Sequence, residues 1–346
     1  MGSRTLMDKT ILVTGGAGFM GSSFIRHLLK DQIFTGKILN LDALTYCGNL
    51  DNLHSVESDH RYDLIKGNIC DNALVKSVFS EHKIDYVVHF AAETHVDRSI
   101  VDAAPFVETN VIGTVNLLEI IKKFPNIHFH HISTDEVYGA LGDEGSFDEM
   151  SPYFPNSPYS ASKAASDHFV RAYHKTYGIK ATISHAGNNY GPFQYPEKLI
   201  PFMITRLISN ETLPLYGTGN QVRDWVFVDD HSKAIESILL HGQIGEVYNI
   251  ASEDEMSNLT LLKKLIRIYS AISGTSEQKL LDKICFIQDR PGHDFRYSMK
   301  AKKLFSHTGW KKTVSFEKGL EATLIWYLES GSWLDHLSSK QKVICV

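Results

Sequence analysis

The stretch from Thr10 to Gly21 constrains this chain more than any other. A short β-branched run, Thr10-Ile11-Leu12-Val13-Thr14, leads straight into Gly15-Gly16-Ala17-Gly18-Phe19-Met20-Gly21. Gly15, Gly18 and Gly21 stand at the G-x-x-G-x-x-G spacing that joins a buried strand to a helix. Glycines there let the backbone turn tightly and bring a helix N-terminus, with its unpaired N–H groups, against a pyrophosphate. Asp42 closes the next apolar run 21 residues after Gly21. A carboxylate in that place accepts both ribose hydroxyls of NAD and repels the 2′-phosphate of NADP. Strand, glycines, helix and acid together predict an NAD-binding βαβ unit.

The rest of the N-terminal half fits that unit. Apolar runs at 10–14, 37–41, 86–90 and 128–132 read as strands, and helical periods at 22–30, 71–81 and about 105–124 lie between them. Strands alternating with helices imply an α/β fold, a Rossmann-like doubly wound parallel sheet covered on both faces. From Ser151 the texture changes. Pro152, Pro155 and Pro158 mark a loop, 161–177 reads as a helix, and 181–185 and 247–250 read as strands returning to the sheet. Residues 199–216 and 259–308 supply a smaller, mixed substrate lobe. The division is 8–185 mainly nucleotide-binding and 186–330 mainly lobe, with 337–346 as a frayed tail.

Composition narrows the class. With 346 residues, 43% hydrophobic and 22% charged, the chain resembles neither a disordered nor a coiled-coil protein. The net charge of −5 is spread along the sequence, so no basic face calls for nucleic acid. No apolar run approaches the roughly 18 residues of a membrane helix, and no signal-peptide core opens the chain. Cys47, Cys70, Cys285 and Cys345 lack disulfide or metal spacing. His128, His130 and His131 form the tightest histidine cluster and do not match a closed metal site, so no metal is expected. These features suit a cytoplasmic enzyme.

A second constellation is Tyr159-Ser160-Ala161-Ser162-Lys163. Tyr and Lys four apart share one helix face. An ammonium beside a phenol favours the phenolate and lowers its pKa from about 10 towards the range of a general base.

These motifs, with Asn188-Asn189-Tyr190-Gly191-Pro192, resemble the extended short-chain dehydrogenase/reductase superfamily. Within it, Ser133-Thr134-Asp135-Glu136-Val137-Tyr138-Gly139 resembles the signature of nucleotide-sugar 4,6-dehydratases. The match continues through 91–99, 196–201, Arg223-Asp224-Trp225 and Asp289-Arg290-Pro291-Gly292-His293, and the closest family is the dTDP-glucose 4,6-dehydratases. The resemblance spans about residues 8–330. It implies a lyase that converts dTDP-glucose to the 4-keto-6-deoxy sugar and water, with NAD recycled internally and, commonly, a homodimer built through helices such as 105–124 and 161–177. It assigns Tyr159 and Lys163 to oxidation at C4, Thr134 to the 4-hydroxyl, Glu136 to the C5 proton and a protonated Asp135 to the departing 6-hydroxyl. By the same resemblance the cofactor contacts are Phe19, Met20, Asp42, Ala43, Leu44, Thr45, Asn68, Ile69, Phe90, Ala91, Ala92, Glu93, Thr109 and Asn189. The nucleotide-sugar contacts are Thr94, Asn188, Lys198, Leu199, Pro214, Leu215, Tyr216, Arg223, Asn258, Asp289, Arg290, Pro291, Gly292 and His293. Two arginines, Arg223 and Arg290, suit a diphosphate, which accepts bidentate charge-assisted bonds.

The pattern departs from the family at His185-Ala186-Gly187, where larger residues are usual, at Thr94 for Ser and at Asn68 for Asp. Smaller residues at 186 and 187 leave room for a bulkier sugar substituent. That keeps a UDP-N-acetylglucosamine or other UDP-hexose 4,6-dehydratase open as the alternative. A 4-epimerase or decarboxylase shares the glycines and the Tyr–Lys pair but does not need Asp135-Glu136. A non-catalytic NAD-binding protein is the reading that a missing Tyr or Lys would favour, and both are present.

Overall fold

The computed structural model describes residues 5–344. The chain order is β1 (Thr10–Thr14), β2 (Lys37–Asp42), β3 (Tyr62–Lys66), β4 (Tyr86–His89), β5 (His128–Thr134), β6 (Lys180–Ala186), β7 (Asn188–Tyr190), β8 (Leu213–Tyr216), β9 (Val222–Phe227), β10 (Val247–Ile250), β11 (Glu255–Ser257) and β12 (Ile284–Ile287). Seven strands form one sheet in the order β10-β6-β5-β4-β1-β2-β3. Every pairing within it is parallel. This is the doubly wound sheet expected. Strand order reverses on either side of β1, which places a crevice at the strands' C-terminal ends.

Two apolar clusters cover the sheet's faces, one around Ile11, Phe24 and Ile235, the other around Leu12, Leu117 and Phe129. A third cluster, around Ile204, Leu262 and Leu324, forms the core of the smaller lobe. Its strands are mixed: β9 pairs antiparallel with β11 and parallel with β7, and β12 pairs with β8. The lobe is discontinuous. Helix Val228–His241 packs on helix Phe19–Lys30, and helix Lys302–Thr308 packs on it in turn, so both belong to the sheet's side.

Three expectations are corrected. β3 was not foreseen, because as an edge strand it buries only Tyr62 fully and carries the polar sequence Tyr-Asp-Leu-Ile-Lys. The helix expected over about 105–124 runs without a break from Ala104 to Ile121, but it is not regular. Wide, π-type turns at Val107–Gly113 lie between the short Ala104–Phe106 helix and Thr114–Ile121. A Cβ on Gly113 would come within 2.5 Å of Ile69, so close packing needs glycine there. The stretch taken as a tail from Leu337 is instead part of a helix, Gly331–Ile344, and Leu337 is only 3% exposed. Residues 345 and 346, including Cys345, lie outside the described residues.

Helix Pro158–Tyr177 starts three residues earlier than its apolar period suggests. Ser157 and Ser160 cap it reciprocally, the Ser160 amide donating to Ser157 Oγ at 3.1 Å and the Ser157 amide to Ser160 Oγ at 3.0 Å. Pro158 begins the first turn and left-handed Gly178 ends the last.

Candidate active site

One long cleft runs across the C-terminal ends of β1, β2, β4, β5 and β6 into the lobe. Gly15 begins it, with φ +71° and its Cα so near Ala91 that a Cβ would lie 2.6 Å from that amide nitrogen. Gly21 is equally tight, 2.4 Å from the Gly15 carbonyl oxygen. Gly18 differs. A Cβ there meets only the Gly15 oxygen, at 3.3 Å, and otherwise projects into free space. Gly18 is the N-cap of helix Phe19–Lys30, has no side chain to satisfy the first amides, and no acid occupies that turn. Amides aimed at open space from a helix N-terminus fit a pyrophosphate.

Asp42 ends β2 almost buried. Its carboxylate accepts from the Ala17 amide at 2.8 Å and the Leu44 amide at 2.7 Å. Burial raises its pKa, and those two amides oppose the rise. Leu44 itself does not line the cleft. With φ +53° it serves the turn that brings its amide to Asp42. All other expected cofactor contacts, from Gly15 to Asn189, line the cleft. The open glycine loop, the uncapped helix and the carboxylate together fit a dinucleotide.

β5 delivers the reacting groups. It runs on to Thr134, whose hydroxyl accepts from the Glu136 amide at 3.3 Å and starts a single helical turn, Asp135–Tyr138. Thr134, Asp135, Glu136, Tyr159 and Lys163 all line the cleft. Asp135 is 3% exposed, and its Oδ1 accepts from Thr134 Oγ1 at 3.2 Å. Burial, then the neighbouring Glu136, push its pKa up to about 8. Burial also raises Glu136, but Arg290, Arg223 and Lys198 oppose that rise. Both adjacent carboxyls are raised: Asp135, near 8, holds a proton at neutral pH, while three cations restrain the rise at Glu136.

Lys163 is anchored from behind, donating to the Ile132 carbonyl at 2.8 Å and lying 3.3 Å from His131 Nε2. Burial pulls the ammonium down to about 8, while Asp167 works against the fall. The phenol of Tyr159 departs from expectation. Burial and then Glu136 raise its pKa rather than lower it, and Lys163 is turned towards β5. Phenolate character at Tyr159 therefore calls for positive charge brought by a ligand.

Behind Lys163, Asp167 is 2% exposed and accepts from Ser133 at 2.9 Å; His185 Nε2 lies 3.1 Å away and His131 Nε2 3.3 Å. The other clustered histidines meet hydroxyls: His128 reaches Thr182, and His130 reaches Thr182 and Ser184. Among the described residues no three His, Cys, Asp or Glu side chains are grouped to hold a metal, and Cys47, Cys70 and Cys285 are free thiols.

The expected nucleotide-sugar residues divide. Thr94, Asn188 and Lys198 line the cleft, and Lys198 donates to the Thr94 carbonyl at 2.8 Å. The others stand beyond it. Arg223 is buried, with its guanidinium donating to the carbonyls of Val222, Phe295 and Asp294. Arg290 pairs with Asp97 at 3.1 Å, and Tyr216 also donates to Asp97. His293 and Gln221 both bind Asp289. Pro291 and Gly292 complete that loop, Gly292 at φ +65°. Asn258 begins helix Asn258–Ser273, and its Oδ1 has no hydrogen-bond partner among the described residues. Leu199 packs on the lobe core, and Pro214 is half-buried on β8. Leu215 is core, not contact surface.

The extra room expected at Gly187 is not there. A Cβ on Gly187 would lie 3.1 Å from the Asp224 carbonyl oxygen, so the missing side chain is filled by Asp224. Sequence reading also missed Asn49, Asn52, Phe193, Glu197 and Trp333, all of which line the cleft. Glu197 lies within the matching stretch 196–201 without an assigned role; the other four belong to no spaced motif, and only the fold brings them together.

Comparison with known proteins agrees with this geometry. The family model described as GDP-mannose 4,6 dehydratase matches residues 12–323. A probable dTDP-glucose 4,6-dehydratase of Sinorhizobium fredii is 46% identical over 339 residues, covering 95% of this chain and 96% of its own. The dTDP-glucose 4,6-dehydratase of Xanthomonas campestris pv. campestris (strain B100) is 46% identical over 335 residues, covering 94% and 95%. DesIV, a dTDP-glucose 4,6-dehydratase of Streptomyces venezuelae solved with NAD bound, superposes with a TM-score of 0.89 at 44% identity, covering 95% of this chain and 99% of that one.

Proposed function

The chain belongs to the GDP-mannose 4,6 dehydratase family, and on that premise we propose that it is an NAD-dependent hydro-lyase acting on dTDP-glucose. Two relatives and one solved structure that share 44–46% of its residues carry that activity in their names. The observation that supports the reaction class most is the pair at the end of β5: a protonated Asp135 beside a Glu136 whose own upward shift three cations oppose. An epimerase or a plain NAD-binding protein has no use for a buried acid and base side by side.

NAD supplies the hydride acceptor that turns C4 of the hexose into a carbonyl, and gives the hydride back at C6. Tyr159, as phenolate, takes the proton of the 4-hydroxyl, which Thr134 orients. The new carbonyl acidifies C5–H, and Glu136 removes that proton. Asp135 gives its proton to the 6-hydroxyl, which leaves as water. Glu136 then returns its proton to C5. Tyr159 ends protonated and Asp135 ionised, so restoring the resting enzyme moves one proton from the phenol to the carboxylate. Lys163 and the positive nicotinamide ring favour the phenolate that burial alone opposes.

Arg223, Arg290 and Lys198 belong to the same reading as the cations that meet the diphosphate; Asp97 holds Arg290 until substrate competes for it. A cytoplasmic homodimer completes the proposal. The helices of 104–121 and 158–177 pack on each other and leave Val107, Ile112 and Phe169 exposed, an outer face suited to a second copy. Among the described residues no helix is long and apolar enough to cross a membrane. NMR of the protein incubated with dTDP-glucose and, separately, UDP-N-acetylglucosamine tests the donor. A 4-keto-6-deoxy product from the first sugar alone supports the reading. The same product from the second alone transfers the activity to the alternative donor, and a C4-inverted sugar makes the protein an epimerase.

A further inference from the structure

The last helix, Gly331–Ile344, does more than finish the lobe. It carries Trp333 into the wall of the cleft, 7% exposed. The indole Nε1 donates to Asn52 Oδ1 at 2.9 Å, a contact across 281 residues. Asn52 is nearly buried, and its Nδ2 donates to the Ala17 carbonyl at 3.0 Å, inside the glycine loop. The Asn49 amide reaches the same carbonyl, also at 3.0 Å. The Arg26 guanidinium, on the helix that the loop begins, binds the Asn52 carbonyl and covers the Phe193 ring at 4.2 Å. Phe193 stands against Trp326 at 4.4 Å, and Trp326 against Trp333 at 5.0 Å. The lobe's aromatic block therefore grips the loop at both ends of one short chain: indole, Asn52, Ala17 carbonyl.

We propose that Trp333 is a cofactor-positioning residue: it closes the cleft beside the glycine loop and, through Asn52, fixes that loop in the shape that retains the dinucleotide. This rests on the NAD-binding part of the function proposed above. Holding Ala17 matters because its own amide binds Asp42, so one residue couples the pyrophosphate loop to the ribose carboxylate. A loop held from the lobe's side keeps the cofactor through a reaction in which it starts and ends oxidised.

The test is the rate at which bound NAD is displaced by etheno-NAD, followed by fluorescence, with thermal melting of the same samples. Trp333→Phe keeps the aromatic wall and deletes the donor, leaving the buried Asn52 oxygen unpaired. Release should rise about three- to tenfold, the worth of one such hydrogen bond. Asn52→Ala breaks the link from the other side and serves should Trp333→Phe not fold. The double variant should release NAD no faster than the quicker single one. If release keeps the wild-type rate while melting falls, Trp333 is lobe packing alone and the inference is overturned. If the wild-type protein binds neither nucleotide, the NAD reading itself fails, and this inference with it.

Discussion

Replacing Asp135 by Asn preserves shape and removes the proton on which elimination depends. With its pKa near 8, about nine-tenths of Asp135 is protonated at pH 7, about half at pH 8 and about a tenth at pH 9. Dehydration in the wild-type enzyme should therefore fall about tenfold between pH 7 and pH 9. Asp135 and Glu136 interact, so the limb belongs to the pair. In Asp135→Asn the elimination step should slow by about 10²- to 10⁴-fold, the usual contribution of a positioned acid, and the remaining rate should lose that alkaline limb. Oxidation at C4 does not use Asp135. Mixing the variant with dTDP-glucose in a stopped-flow instrument should raise the near-ultraviolet absorbance of reduced nicotinamide and hold it there. Lys163 also titrates near 8, but its loss would suppress that absorbance instead. An Asp135→Asn enzyme that accumulates no reduced cofactor, or keeps the wild-type alkaline limb, would refute the assignment.

The glycine loop should separate folding from binding: Gly18→Ala should melt within about 1 kcal/mol of wild type, since its Cβ meets little protein, yet lose NAD affinity in a direct titration. Gly15→Ala should cost at least about 1–2 kcal/mol for the left-handed backbone alone, with more for the collision with Ala91, read by denaturant unfolding. Tyr159→Phe should fold normally and abolish reduction of NAD by substrate at every pH, so that no transient absorbance appears. At Asp167 burial works to raise the carboxylate, but His131 and His185 outweigh it and hold the pKa far below the usual range. Its stabilising contribution is thus full above the unfolded value near 3.9 and disappears as the pH falls through the lower folded one. Asp167→Asn should lower the melting temperature most at neutral pH, and the gap to wild type should narrow as the pH drops below about 4.

What could be read from the chain alone followed from regular spacing. β1, the three glycines and Asp42 are local features, each fixed by a few neighbouring residues, and they announce a parallel sheet and its crevice. The Tyr159–Lys163 pair is equally local, and its shared helix face is a consequence of helical period. β3 escaped because an edge strand with one buried side chain carries no apolar alternation. The wide turns at Val107–Gly113 leave no mark on the helix's apolar period. The direction of the Tyr159 shift was missed for an energetic reason: desolvation in the closed site exceeds what a lysine facing the other way returns. Gly187 shows the same limit. Its small size suggests space, yet the space is spent on Asp224. Trp333 lies between the lobe's expected end at 330 and the tail expected from 337, and only the packing of the lobe brings it to a cleft begun more than three hundred residues earlier.

If one site oxidises, dehydrates and reduces the same sugar, the hydrogen that leaves C4 must return at C6. dTDP-glucose carrying deuterium at C4, turned over in ordinary water, tests it most directly by NMR of the product. Deuterium at C6 of the product and no net reduced cofactor are the expected result. Deuterium retained at C4, or deuterium lost from the sugar to free reduced cofactor, would contradict it.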